Sequence, residues 1–236
     1  MTDLLDRIYQ AHGGLERWRQ LTQLRFTGSG GGKLPFPRAD FMTRTGAVLE
    51  TRSERALIEP FGAPDRSGLF TPDQVEVLDA EGTVLAERDE PRRAFASYPP
   101  DRLWDELDTA YFVGYAFWTY LTMPFLLAWD GVRAEEVEPW QENEEIWRRL
   151  RVEFPGHIGT HSTVQTIYVG PDNLLRRHDY SVDILGGTAT AHYTADYRTF
   201  DGFGFPTRRR VRRRQPDNTT SGPVLISIDI HSLTLS

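Results

Sequence analysis

Along residues 2–21, apolar side chains recur every three or four positions: Leu4, Ile8, Leu15 and Trp18, with His12 in step. That spacing gathers them on one helical face. Gly13-Gly14 interrupts the pattern, so two short helices are expected. The period then drops to two. Residues 24–28 read as a first strand and the glycine run 28–32 as a turn. Short strands are expected at 39–43, 47–52, 56–59, 74–79 and 83–87, with Ala80-Glu81-Gly82 as a hairpin turn. The C-terminal part is the most regular. Strands at 146–154, 161–169, 174–185, 188–200, 205–214 and 224–233 include neighbours joined by turns at Gly170-Pro171-Asp172-Asn173, Gly186-Gly187 and Asp201-Gly202. Consecutive strands joined this tightly run antiparallel. Strands do not alternate with helices, which argues against a parallel α/β fold.

Residues 91–130 break the strand pattern and form a helical insertion, with its helix-forming part at about 101–130. Asp101 and Asp108 are candidate N-caps, and Pro124 marks a kink or a new turn. Within the insertion, Tyr111 to Trp129 carries no charge and is long enough to span a bilayer. Gly114, Pro124 and several tyrosines and threonines make it only moderately apolar. Both flanks are acidic (Asp105, Glu106 and Asp108 before, Asp130, Glu135 and Glu136 after), so no positive-inside signal supports a span. A helix packed on the sheet is expected, and no transmembrane segment. No repeat or linker divides the chain, which reads as one domain over 1–236 of mainly β structure with helices, the α+β class.

Composition narrows the chemistry. The absence of cysteine removes disulfides, thiolate nucleophiles and cysteine metal sites. His157 and His161 stand four apart, but Pro155, Gly156 and Gly159 make that segment a turn, not a metal-binding helix face. No metal and no cofactor is expected. The lone lysine, Lys33, lies in the glycine-rich loop, away from any expected pocket. Gly28-Ser29-Gly30-Gly31-Gly32-Lys33-Leu34 fails as a phosphate loop, because the first glycine is misplaced and Leu34 stands where a hydroxyl must hold magnesium. No Gly-x-Ser-x-Gly elbow occurs. A net charge of −7 argues against a nucleic-acid partner. The arginine run 208–214 lies in an expected strand, so its charges alternate between faces, with the acidic stretch 135–145 as a possible counter-charge. The first residues, Met1 to Arg7, show no export signal, and a cytoplasmic location is expected.

The segment Asp196-Tyr197-Arg198-Thr199-Phe200-Asp201-Gly202-Phe203-Gly204-Phe205-Pro206-Thr207 resembles a recurring hairpin of the LolA/LolB-like superfamily. There, a strand ending in Asp-Tyr-Arg meets Asp-Gly at the turn and a proline in the next strand. Ala11-His12-Gly13-Gly14-Leu15 and Leu174-Leu175-Arg176-Arg177-His178-Asp179-Tyr180 resemble the same group. The resemblance implies an incomplete antiparallel β-barrel with helices covering its concave face. It fixes no activity, since lipoprotein carriers, lipid carriers and a pigment-pathway enzyme look alike at this level.

Register arguments select candidate site residues. With Gly186-Gly187 as a two-residue turn, Leu185 pairs with Thr188, Val182 faces Ala191, Tyr180 faces Tyr193 and His178 faces Ala195, while His192 turns to the opposite face. With Val169 paired to Leu174, Gln165 faces His178, Thr163 faces Tyr180 and His161 faces Val182. A polar cluster on an apolar face results. His178, His161 and Tyr180 are the candidates for acid–base catalysis. Gln165, Thr163 and Tyr193 are candidate ligand contacts, roofed by Tyr115, Trp118 and Tyr111 of the insertion. Three functions fit: binding of a hydrophobic small molecule or lipid-like chain, cofactor-independent catalysis on a hydrophobic metabolite, and a ligand-free interaction domain. The sequence sets no oligomeric state.

Overall fold

A computed structural model of the chain describes residues 3–32, 43–99 and 102–236. Its frame is one antiparallel sheet of thirteen strands. Strands β1 (Gln23–Gly32), β2 (Thr45–Glu50), β3 (Ala56–Ile58), β4 (Ser67–Phe70), β5 (Gln74–Leu78) and β6 (Val84–Asp89) pair in sequence order. So do β7 (Arg133–Glu142), β8 (Glu145–Glu153), β9 (Val164–Val169), β10 (Leu175–Val182), β11 (Thr188–Phe200), β12 (Phe203–Arg214) and β13 (Thr220–Leu235). The two meanders join where β1 pairs with β13. β6 and β7 are the free edges, so the sheet is not closed into a barrel.

The chain leaves one edge at β6 and re-enters at the other, β7. The connection must therefore cross the sheet. It does so as α3 (Pro91–Ala94), a 3-10 turn (Phe95–Ser97), α4 (Glu106–Thr122) and a second 3-10 turn (Phe125–Ala128). The helix numbering starts with α1 (Asp3–Ala11) and α2 (Leu15–Trp18), divided at Gly13-Gly14 as expected. Both glycines adopt positive φ, and a Cβ on Gly13 would lie 2.6 Å from the Phe203 ring.

Helix α4 is buried on every side from Asp108 to Thr122, as its lack of charged residues past the first turn requires. Its aromatic side chains reach strands from across the sheet. Phe117 meets Phe26 of β1 edge-on at 5.0 Å, and Trp118 Nε1 donates to the Glu50 carbonyl of β2 at 2.9 Å. Gly114 lets the helix backbone sit on Phe70 of β4: an added Cβ would lie 2.2 Å from the Phe70 Cβ. The start of α4 is fixed by a capping box. Asp105 accepts from Asp108 N at 2.8 Å, and Asp108 accepts from Asp105 N at 3.1 Å. The N-cap is thus Asp105, three residues before the expected Asp108, which serves as the reciprocal partner. At the far end, the second 3-10 turn brings Phe125 onto Trp18 of α2, stacked at 4.4 Å.

Several expectations need correction. The glycine run is not a turn but the second half of β1. A bulge follows Thr27, and a Cβ on Gly28 would lie 2.5 Å from the Asp229 carbonyl oxygen of β13. Close strand approach, not chain reversal, calls for glycine there. β4 is not among the expected strands: its burial alternates, but Gly68 occupies a buried position and hides the apolar period in the sequence. β7 is an edge strand, mostly exposed on both faces, so its sequence lacks an apolar rhythm. Residues 39–42, Lys33 and Asp101 lie outside the described residues. Among those described, no helix is long and apolar enough to cross a membrane.

The α4 contact gives a direct test. Gly114→Ala should destabilise the protein by about 2 kcal/mol or more, because overpacking against Phe70 outweighs the helix propensity gained. Urea denaturation followed by tryptophan fluorescence would measure it, and an unchanged midpoint would contradict the close packing of α4 on β4.

Candidate functional site

The concave face of the β10–β12 region carries a polar cluster inside an apolar surround. β10 contributes His178 and Tyr180, β11 His192, and β12 Arg209, while His161 comes from the loop before β9. Helix α4 adds Tyr115 and Tyr120 from above. All seven are buried. They form a row of hydrogen bonds. Tyr115 Oη lies 3.0 Å from His161 Nδ1, and His161 Nε2 lies 2.6 Å from Tyr120 Oη. Tyr120 Oη lies 2.7 Å from Tyr180 Oη, which is 3.4 Å from His192 Nδ1. The His161 ring stacks on Tyr180 at 4.1 Å. Beside the row, His178 Nε2 donates to Gln165 Oε1, and Gln165 Nε2 donates to the Ser162 carbonyl at 2.7 Å.

Burial sets the charge state. Desolvation holds His161 and His192 well below the ordinary imidazole range, pulls His178 down to about 3, and pushes Tyr115, Tyr120 and Tyr180 up. Phenols and imidazoles are therefore neutral together. Desolvation also lowers Arg209, to about 10, leaving it a cation at neutral pH. Its Nη2 donates to the Tyr120 carbonyl at 2.8 Å, in the last turn of α4. The negative end of the helix dipole thus offsets a charge that pairs with no carboxylate among the described residues. Arg209 Nε and His192 Nε2 are buried without a partner among the described residues.

Next to the row opens a cavity of about 220 Å³. Tyr120, His161 and Tyr180 form its floor. Its walls are apolar, with Phe112, Ala116 and Phe117 of α4 facing Val211 of β12 and Ile228 of β13. At the mouth stand half-buried Leu185, Thr188 and Leu225, and exposed Arg213.

The structure brings His161, Gln165, His178, Tyr180 and Tyr115 into one cluster, of which His161 and Tyr180 line the cavity, and separates the other candidates. The expected β10–β11 register is shifted by three residues, because Asp183–Leu185 forms a 3-10 turn instead of continuing the strand. Val182 then pairs with Thr188, Tyr180 with Thr190 and His178 with His192. An odd shift exchanges the faces of β11. His192 enters the cluster, and Tyr193 passes to the opposite face. There Tyr193 donates to Glu142 at 2.9 Å and accepts from buried Arg177, which is held by Asp179. The β9–β10 register carries a bulge after Leu175 and pairs His178 with Ile167. Its shift is even, so Gln165 keeps its face. Thr163 precedes β9 and is exposed. Tyr111 accepts from Arg92 at 3.3 Å against Phe70 and Phe95, and Trp118 is bound to the β2–β3 connection, so neither roofs the cavity. Sequence reasoning missed Phe112, Ala116, Phe117 and Tyr120, although their three- and four-residue spacing defines one helix stripe. It also missed His192, Arg209 and Arg213. Among the described residues, no group of three His, Asp or Glu side chains is placed to hold a metal.

A second polar spot lies in the β2–β3 connection. Glu54 is buried, accepts from Gly159 N at 2.9 Å, and leaves Oε1 without a partner among the described residues. Desolvation raises it to about 8.

No family model matches the chain, and no curated protein matches it at a significant level. Solved structures do share its fold. A LolA superfamily protein from Nitrosomonas europaea superposes with a TM-score of 0.54 at 9% identity, covering 99% of this chain and 92% of that one. A domain assigned as an outer membrane lipoprotein-sorting protein, from Vibrio parahaemolyticus, gives 0.53 at 10% identity, covering 99% and 91%. The likeness establishes a LolA-like fold. The expected cytoplasmic location finds no support in this fold, since one neighbour over almost the whole chain is described as an outer membrane lipoprotein-sorting protein domain.

The buried titratable groups set a pH optimum. Folded His12 lies at about 4 and His178 at about 3, against 6.5 unfolded. The unfolded chain binds more protons below 6.5, so stability is lost as pH falls from there toward 4. Glu54 acts in the opposite sense: the folded state keeps its proton from 4.5 to about 8, so stability is lost as pH rises through that window. The two windows overlap from 4.5 to 6.5, where two histidines outweigh one glutamate, so thermal melts from pH 4 to 9 should peak near pH 6.5. Glu54→Gln should flatten the alkaline limb alone; an unaltered limb would mean that Glu54 ionises freely.

Proposed function

On this LolA-like frame, an open antiparallel sheet wrapped round a neutral helix, we propose that the chain binds a hydrophobic small molecule or lipid-like chain in the cavity between α4 and strands β10 to β13. The carrying observation is the cavity itself. Its walls are apolar, and it opens to solvent between Leu185 and Leu225. Such a concavity buries most of an apolar ligand and gains roughly 25 cal/mol for each Å² removed from water. The fold likeness supports the same reading, because one neighbour is assigned to the sorting of lipoproteins.

The electrostatics favour binding over acid–base catalysis. Desolvation raises the phenols and lowers the imidazoles. Moving a proton from Tyr120 to His161 would create two charges that the site disfavours on both sides. The row therefore acts as a neutral, rigid floor.

The neutral dye N-phenyl-1-naphthylamine should bind with enhanced fluorescence. Ala116→Leu, which fills the cavity from α4, should weaken that binding by about tenfold or more while keeping the melting temperature unchanged or higher. Undiminished dye binding in this variant would place the ligand elsewhere.

A further inference from the structure

Every polar group on the cavity surface but one is already engaged. Tyr120 Oη is shared between His161 and Tyr180, and both His161 ring nitrogens are taken by tyrosines. Thr188 donates to the Leu185 carbonyl at 2.9 Å and Thr190 to the Tyr180 carbonyl at 3.1 Å. Arg213 is the exception. It makes no hydrogen bond or ion pair with any described residue.

That vacancy is particular to Arg213 within its own run. Arg208 pairs with Asp196 at 2.7 Å and Arg210 with Asp229 at 2.9 Å. Arg209 donates to the Tyr120 carbonyl, Arg212 to the Gly222 carbonyl, and Arg214 lies 3.6 Å from Asp179. The chain is acidic overall, at −7, yet no acidic side chain lines the cavity among the described residues. β12 thus sets two guanidinium groups along the concave face, Arg209 in the interior and Arg213 at the mouth, with apolar Val211 between them. A saturated floor has no donor or acceptor to spare for a polar ligand group, and an apolar wall penalises one. The mouth has an unpaired cation in reach of water.

Resting on the cavity-binding reading above, we propose that the ligand is an anionic amphiphile: an apolar chain inserted tail-first toward Tyr120 and Tyr180, with an acid head group, a carboxylate or phosphate, held at the mouth by Arg213. The guanidinium offers the acid two parallel N–H donors without taking its charge out of water. Selection works by charge at the entrance and by hydrophobic fit below it.

Displacement of bound N-phenyl-1-naphthylamine by ligands of one chain length separates these contributions. Dodecanoate and dodecyl phosphate should each displace the dye at about fivefold lower concentration than dodecanol, and dodecyltrimethylammonium should be weakest. Arg213→Gln should abolish the preference for the acids and leave dodecanol unchanged, Arg213→Glu should reverse the order toward the ammonium, and raising the salt concentration should erode the preference in the native chain. A preference for one acid over the other identifies the head group. If dodecanol matches the acids, or if the preference survives Arg213→Gln, the head-group assignment is overturned while cavity binding stands. If neither dye nor any dodecyl compound binds, the cavity reading falls and this assignment with it.

Discussion

The structure depends on the passage of one uncharged helix through the hollow of an open sheet. The free edges β6 and β7 are consecutive in the chain but lie at opposite ends of the sheet. The segment that joins them crosses the concave face. A charged helix in that position would leave several ions without water or partners, at a cost of several kcal/mol each. The composition of α4 follows from this placement. Its charges stop at Asp108, which is held by the capping box and by Arg88 at 2.6 Å. At the other end, Arg209 supplies from the sheet the cation that a helix C-terminus favours.

The polar cluster obeys the same constraint. Three histidines, three tyrosines and a glutamine at this depth must satisfy one another or cost stability. Tyr115, His161, Tyr120 and Tyr180 do so in a row that spans helix and sheet and fixes the rotation of α4 about its axis, and His178 pairs with Gln165 beside it. Tyr115 and Tyr120 are tied to His161, so the stripe carrying Phe112, Ala116 and Phe117 is turned toward β12 and β13. Specific hydrogen bonds at the cavity floor thus set how this stripe faces an unfilled space.

Much of this was legible in the sequence. The tight turns and period-two strands of the C-terminal part gave the antiparallel meander, and the uncharged stretch gave the covering helix. Three physical features escaped. Asp183–Leu185 precedes the glycine pair and reads as the end of the strand, but it coils into a 3-10 turn, and the resulting odd register shift placed His192 and Tyr193 on the wrong faces. The glycine run has the composition of a turn, although the need was for close strand contact. Edge strand β7 is charged along both faces because neither is covered. The cavity wall was within reach, since its α4 residues follow helical spacing. Arg209 and Arg213 depended on strand pairing and on the absence of partners, which local sequence does not encode.

The seam between β1 and β13 has a consequence of its own. Every other strand pair joins neighbours in sequence, so contacts within each meander close short loops. Among the strand pairs of the described residues, the seam alone brings together segments far apart in sequence, with Ser236 N donating to Gln23 O at 3.0 Å and the Ser236 carbonyl accepting from Thr22 N at 2.7 Å. Each half can zip up locally at a low entropic cost, whereas the seam has the highest contact order in the molecule. Loop-closure entropy accordingly favours forming the two curved ribbons before they meet along this one line, with the hydrophobic helix enclosed between them.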